Sequence, residues 1–119
     1  MHAIEKLASA IATQEGFYST GSAAAKTNHN PGNLRANLLP RKKNNGFVVF
    51  NSDQEGFAGL IYQLAIYALR GLTIRQIINI YAPTADGNNP DIYLKNVEAW
   101  TQLDVDAKLS SFFTFEKMK

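Results

Sequence analysis

Ten of the 119 residues are carboxylic acids and none is a cysteine, so proton-transfer chemistry in this chain falls to Asp and Glu. The absence of cysteine removes disulfides, thiol nucleophiles and every cysteine-bearing zinc site. His2 and His29 are too few for a three-histidine centre, and neither a metal nor another cofactor is expected. Most of the acids have a structural explanation. Asp53, Asp91, Asp104 and Asp106 fall in first turns or caps, where negative charge suits the helix dipole. Glu5, Glu98 and Glu116 read as solvated helix faces or tail.

Glu15 is different. It ends an amphipathic helix just before Gly16-Phe17-Tyr18. There it faces the negative end of the dipole, unfavourable by about 0.3–1 kcal/mol. Burial against Phe17 or Tyr18 would further disfavour the ionised form, which is how a carboxylic acid becomes a proton donor near neutral pH. The plain alternative is a surface glutamate at a frayed helix end. Glu55 is accounted for by a capping box, Ser52-Asp-Gln-Glu55, although a second-carboxylate role is compatible with its position.

The stretch Asn28-His-Asn30-Pro-Gly-Asn33-Leu-Arg35 is dense in side-chain amides. Each amide offers a donor and an acceptor, which suits sugar hydroxyls and acetamido groups. Asn, Pro and Gly are equally the residues of any tight loop, so both readings stand. Tyr81 reads first as a core residue whose buried hydroxyl needs a partner, a carboxyl group being a natural one. Thr84-Ala-Asp86-Gly-Asn-Asn-Pro90 forms another polar loop that would border a groove. Trp100, the only tryptophan, sits on a helical stripe and reads as core.

The elements that must position these groups are mostly helical. Ile4, Leu7, Ala8 and Ile11 recur at helical spacing, giving a helix over about 2–15 stopped by Gly16. Residues 16–33 read as loop, with one helical turn at Ala23–Ala25. Leu34–Leu39 and Gly46–Phe50 are short strand candidates, joined by the polar stretch Pro40–Gly46 into an antiparallel hairpin. Helices follow from Ser52 to Gly71, from the second capping box Thr73-Ile-Arg-Gln76 to Pro83, and over about 90–101 behind Asn89-Pro90. Asp104 would cap a last short helix through Phe112, and the tail Phe112-Phe-Thr-Phe would pack back on the body. The expected fold class is α+β, mainly α, with about five helices and one small β-hairpin in a single domain, residues 1–119.

Composition narrows the function classes. Hydrophobic residues make up 45% and charged residues 18%, a globular balance. A net charge of +2, with Arg41-Lys42-Lys43 as the one basic cluster, argues against nucleic acid. The helix at 73–82 invites comparison with a DNA-reading element, but it carries one arginine and no lysine. No apolar run is long enough to span a membrane. Met1-His-Ala-Ile-Glu-Lys-Leu lacks the pattern of a secretory signal, so synthesis in the cytoplasm is expected.

Taken in order, these motifs resemble a family. A helix ending in Glu15-Gly-Phe precedes Asn30-Pro-Gly-Asn-Leu-Arg35 and a hairpin closing on Phe50-Asn-Ser. Asp53-Gln-Glu-Gly-Phe-Ala-Gly-Leu60 follows, then a helix ending in Ile80-Tyr-Ala-Pro83, an Asn-rich loop and a Tyr-containing helix. Over about residues 3–103 the chain resembles the phage and bacterial lysozyme-like proteins related to soluble lytic transglycosylases and goose-type lysozyme. The resemblance implies a lysozyme-like fold with Glu15 as the single catalytic acid/base. It implies that Tyr81 matches the tyrosine of the Ala-Tyr-Asn motif beside that glutamate. The loop carrying Asn28, Asn30, Gly32, Asn33 and Arg35 would be the substrate wall. Gly16 replaces the serine of many transglycosylases, and Gly-Asn-Leu-Arg stands in place of Gly-Leu-Met-Gln.

The implied activity is lytic transglycosylation of peptidoglycan glycan strands at the MurNAc-GlcNAc β-1,4 bond. Such an enzyme needs no second carboxylate, because the substrate supplies its own nucleophiles. Two alternatives stand beside it. A hydrolytic muramidase would use a water activated by Glu55 or Asp86, and a non-catalytic module would bind glycan or serve as a virion component. With no signal peptide, the protein would reach the wall in a virion, through a holin or as part of a secretion machine, whose components would then be partners.

Overall fold

The computed structural model describes residues 2–21, 23–36, 42–81 and 89–113. Its elements in order are α1 (Ala3–Gln14), α2 (Ala24–Thr27), β1 (Lys43–Asn44), β2 (Phe47–Val48), α3 (Asp53–Leu69), α4 (Ile74–Tyr81), α5 (Pro90–Thr101) and a 3-10 helix at Leu109–Phe112. The class is the expected one: mainly helical α+β, with five α-helices and one two-stranded antiparallel sheet among the described residues. The chain divides into two compact units, one formed by residues 8–63 and the other by residues 1–7 with 64–119.

In the 8–63 unit, α1 and α2 close in the same way. Gly16 adopts φ +82°, so its amide reaches the Thr13 carbonyl at 3.1 Å and the Phe17 amide reaches Ala12 at 3.0 Å. That pair of bonds is a Schellman motif, which absorbs carbonyls the helix end leaves over. It places Glu15 at the C-cap. At the end of α2 the left-handed residue is His29, φ 51°, with its amide on Lys26 and the Asn30 amide on Ala25. Phe17 then packs on Ala12 and Ala25, with Phe57 against them.

The hairpin differs from the sequence expectation. Its turn is the two-residue pair Asn45-Gly46, both at positive φ (51° and 84°), as a type I′ turn requires. Lys43 therefore pairs with Val48, the first strand is 43–44, and of the expected strand 34–39 the described residues 34–36 are not in the sheet. Leu34 still meets the hairpin, since its carbonyl accepts from the Val48 amide at 2.9 Å. Positions 37–41 lie outside the described residues.

In the second unit the capping signals act as read. Thr73 and Gln76 exchange both capping-box bonds, at 2.8 and 3.1 Å. The Arg75 amide, another first-turn donor of α4, is taken up by the Val105 carbonyl. Asn89 caps α5 through the Ile92 amide at 3.2 Å. Ile74, Ile77, Ile78, Leu94, Val97 and Leu109 are buried. Two expectations fail here. Asp104 accepts from the Asp106 amide in a tight turn and starts no helix, the 3-10 helix beginning only at Leu109. Trp100 is 50% exposed and so is not core: the buried face of α5 is carried by Tyr93, Leu94, Val97 and Thr101. Among the described residues no helix is long and apolar enough to cross a membrane.

Candidate active site

Glu15 lies half-buried at the capped end of α1, where the Asn33 side-chain Nδ2 donates to its Oε1 at 3.0 Å. The geometry of Asn33 follows from the turn Asn30-Pro-Gly-Asn33, closed by the Asn33 amide on the Asn30 carbonyl at 3.0 Å. Pro31 pre-sets the turn, and Asn33 itself adopts φ 47°, a left-handed conformation that asparagine tolerates better than most residues. The two signals that separately drew attention, the glutamate before Gly16 and the amide-rich loop, thus meet in one hydrogen bond.

The remaining amides of the loop face inward. Asn30 is fully buried; its Nδ2 donates to the carbonyls of Leu34 and Val48 (3.0 and 2.9 Å), and its Oδ1 accepts from the Leu34 amide at 2.9 Å. Both donors of this side chain are thus engaged by the protein, so it fastens the loop to the hairpin rather than meeting a sugar. Asn28, only 3% exposed, accepts on Oδ1 from the Asn44 Nδ2 at 3.2 Å, while its carbonyl takes the Phe50 amide. Among the described residues, the Asn28 Nδ2 and the Asn33 Oδ1 are buried atoms without a hydrogen-bond partner. Arg35 is exposed and lies over the Phe47 ring at 4.6 Å, a cation–π contact with the hairpin.

Glu55 lies half-buried in the first turn of α3, and its amide donates to the Ser52 Oγ at 3.1 Å, the serine half of the expected capping box. Asp86, the other candidate second carboxylate, lies outside the described residues. Tyr81 belongs to the second unit, half-buried at the end of α4, with its ring edge-on to Tyr93 at 6.5 Å.

Three features escaped the sequence reading. His29 Nδ1 sits 2.7 Å from Asp53 Oδ1, tying the end of α2 to the start of α3. Gly56 lets the His29 carbonyl and Pro31 approach α3, because a Cβ there would lie 2.7 Å from the Pro31 Cδ. The only sequence signal for either was the loop's density in special backbone residues. The second unit also holds an open groove of about 280 Å3 lined by Arg75, Asp91, Leu94, Lys95, Glu98 and Val105, none of them a predicted site residue. Beside it Arg75 forms a two-pronged pair with Asp106, at 2.7 and 3.3 Å. That hydrogen bond, with the charge of Arg75, holds the Asp106 carboxyl below the ordinary aspartate range and raises the guanidinium further.

Among the described residues no group of three or more His, Asp or Glu side chains is placed to hold a metal ion. The chain matches no family model, no curated protein and no solved structure.

Proposed function

We propose that the protein cleaves peptidoglycan glycan strands as a lytic transglycosylase with Glu15 as its single acid/base. The observation that carries this reading is the contact between Asn33 Nδ2 and Glu15 Oε1. A carboxyl group that must first give and then take back a proton at one point in space gains from being held, since positioning is a large part of catalysis. One oxygen of Glu15 is held by a donor that is itself fixed by a closed turn.

In the reaction Glu15 protonates the glycosidic oxygen as the C1–O bond of N-acetylmuramic acid breaks. The 6-hydroxyl oxygen of the same sugar bonds to C1 and its proton passes to the Glu15 carboxylate. A 1,6-anhydro ring forms, the acid is restored and no water is consumed. This chemistry asks for one carboxyl group, whereas a two-carboxylate glycosidase needs a partner about 5–9.5 Å away.

The test is a digest of purified peptidoglycan with the wild type and with Glu15→Gln, read by mass spectrometry. Glutamine keeps an Oε1 acceptor for Asn33 but has no proton to give, so the fold survives. The release of anhydro products, lighter than hydrolytic fragments by one water, should fall at least 10²–10⁴-fold. Water-added reducing ends would identify a hydrolase instead. Retained binding without products from the wild type would identify a glycan-binding module.

A further inference from the structure

The loop expected to grip the substrate turns its amides inward: Asn30 to the backbone, Asn28 to the hairpin and Asn33 to Glu15. Contact with a glycan then falls to exposed side chains next to Glu15, and three residues along the chain is Tyr18. Its side chain is 57% exposed, the most of any aromatic residue described. It is nevertheless held in place.

Two rings support it within the same unit. Phe17 meets Tyr18 edge-on at 5.1 Å and 82°, and Phe57 lies 6.4 Å away at 31°. Phe17 is in turn edge-on to Phe57 at 5.3 Å and buried on Ala12 and Ala25. The backbone is fixed as well. The Ser19 amide bonds to the Gly16 carbonyl at 3.1 Å, and the Ser19 carbonyl accepts from Lys26 Nζ at 3.1 Å. Tyr18 is therefore the third residue of a closed turn that starts at the α1 cap. A chain of three residues reaches about 10 Å at most, so the Tyr18 backbone stays near that of Glu15.

We propose that Tyr18 is a saccharide-binding residue, its exposed ring stacking on the apolar C–H face of an N-acetylhexosamine in the bound strand. The assignment rests on the glycan-cleaving reading and adds to it the group that holds the sugar. A rigid aromatic with two torsions gives contact area at low entropic cost, and its phenol edge remains available to sugar hydroxyls.

The test uses Glu15→Gln as a non-cleaving background and an N-acetylglucosamine oligomer as the probe, with binding followed by NMR titration. Tyr18→Ala should weaken binding about two- to tenfold while Tyr18→Phe binds nearly as well, the far-ultraviolet circular dichroism of both matching the parent. In the active protein, Tyr18→Ala should raise KM for soluble glycan strands more than it lowers kcat. If the Glu15→Gln parent binds the oligomer and Tyr18→Ala binds it equally, the Tyr18 assignment is wrong and the activity reading stands. If the parent binds no saccharide and the wild type releases no products, both are wrong.

Discussion

Replacing Asn30 by alanine separates a residue that builds the site from one that touches substrate. Three hydrogen bonds disappear, two donated by Nδ2 and one accepted by Oδ1. At a net 1 kcal/mol or so each they amount to about 3 kcal/mol. The Leu34 amide then faces a buried space with no acceptor, adding roughly 1–2 kcal/mol, whereas the Leu34 carbonyl keeps its bond from the Val48 amide. The expected loss is about 4–5 kcal/mol, a large part of the roughly 5–15 kcal/mol typical of a domain. With a urea slope near 2 kcal/mol per molar, the unfolding midpoint should drop by about 2 M. Asn30→Asp should recover little, since it keeps the acceptor but turns a carboxylate toward two carbonyls. The assay is equilibrium urea unfolding by circular dichroism. An asparagine at the sugar wall would behave oppositely, with stability within about 0.5 kcal/mol of wild type and weakened glycan binding. That outcome would refute the structural role assigned to Asn30.

Two further outcomes are expected. Gly56→Ala should destabilise by about 1–3 kcal/mol in the same unfolding assay, because the new methyl meets the His29 carbonyl and Pro31, and an unchanged midpoint would remove the close approach. Asp106, lowered in the folded state by its bond to Arg75, adds stability above the unfolded aspartate range and loses it as pH falls through its folded value. Asp106→Asn should therefore flatten the acid side of the stability–pH curve slightly, the pair being solvent-exposed; an identical curve would show that the pair does not couple to folding.

Local signals carried much of the fold. Thr73-Ile-Arg-Gln76 and Asn89-Pro90 state their caps within four residues, and the structure forms both. Gly16 was legible for the same reason, since a helix end next to glycine solves its own carbonyl problem. The errors arose where the deciding partner is distant. Asn45-Gly46 has the composition of a two-residue turn, but the length of the flanking polar run disguised the register, which the pairing of Lys43 with Val48 settles. Trp100 sits at a helical spacing that suits burial, and only the packing of α5 determines which stripe faces inward. Asn30 was ambiguous in principle, because the donors and acceptor that suit a sugar also suit the backbone of Leu34 and Val48. The meeting of Asn33 with Glu15 joins positions eighteen residues apart, which no local pattern encodes.

The left-handed backbone at His29 and Asn33 bears on what these positions are for. At such a φ glycine is the conformationally easy residue, and any side chain is carried at some cost in strain. If the fold required only the turn, glycine at either place would form it more cheaply. Histidine and asparagine stand there instead, and each uses its side chain to reach an acid, Asp53 in one case and Glu15 in the other. The bends of this loop thus serve as mounts, with backbone ease given up so that a side chain can stand where a carboxyl group needs holding.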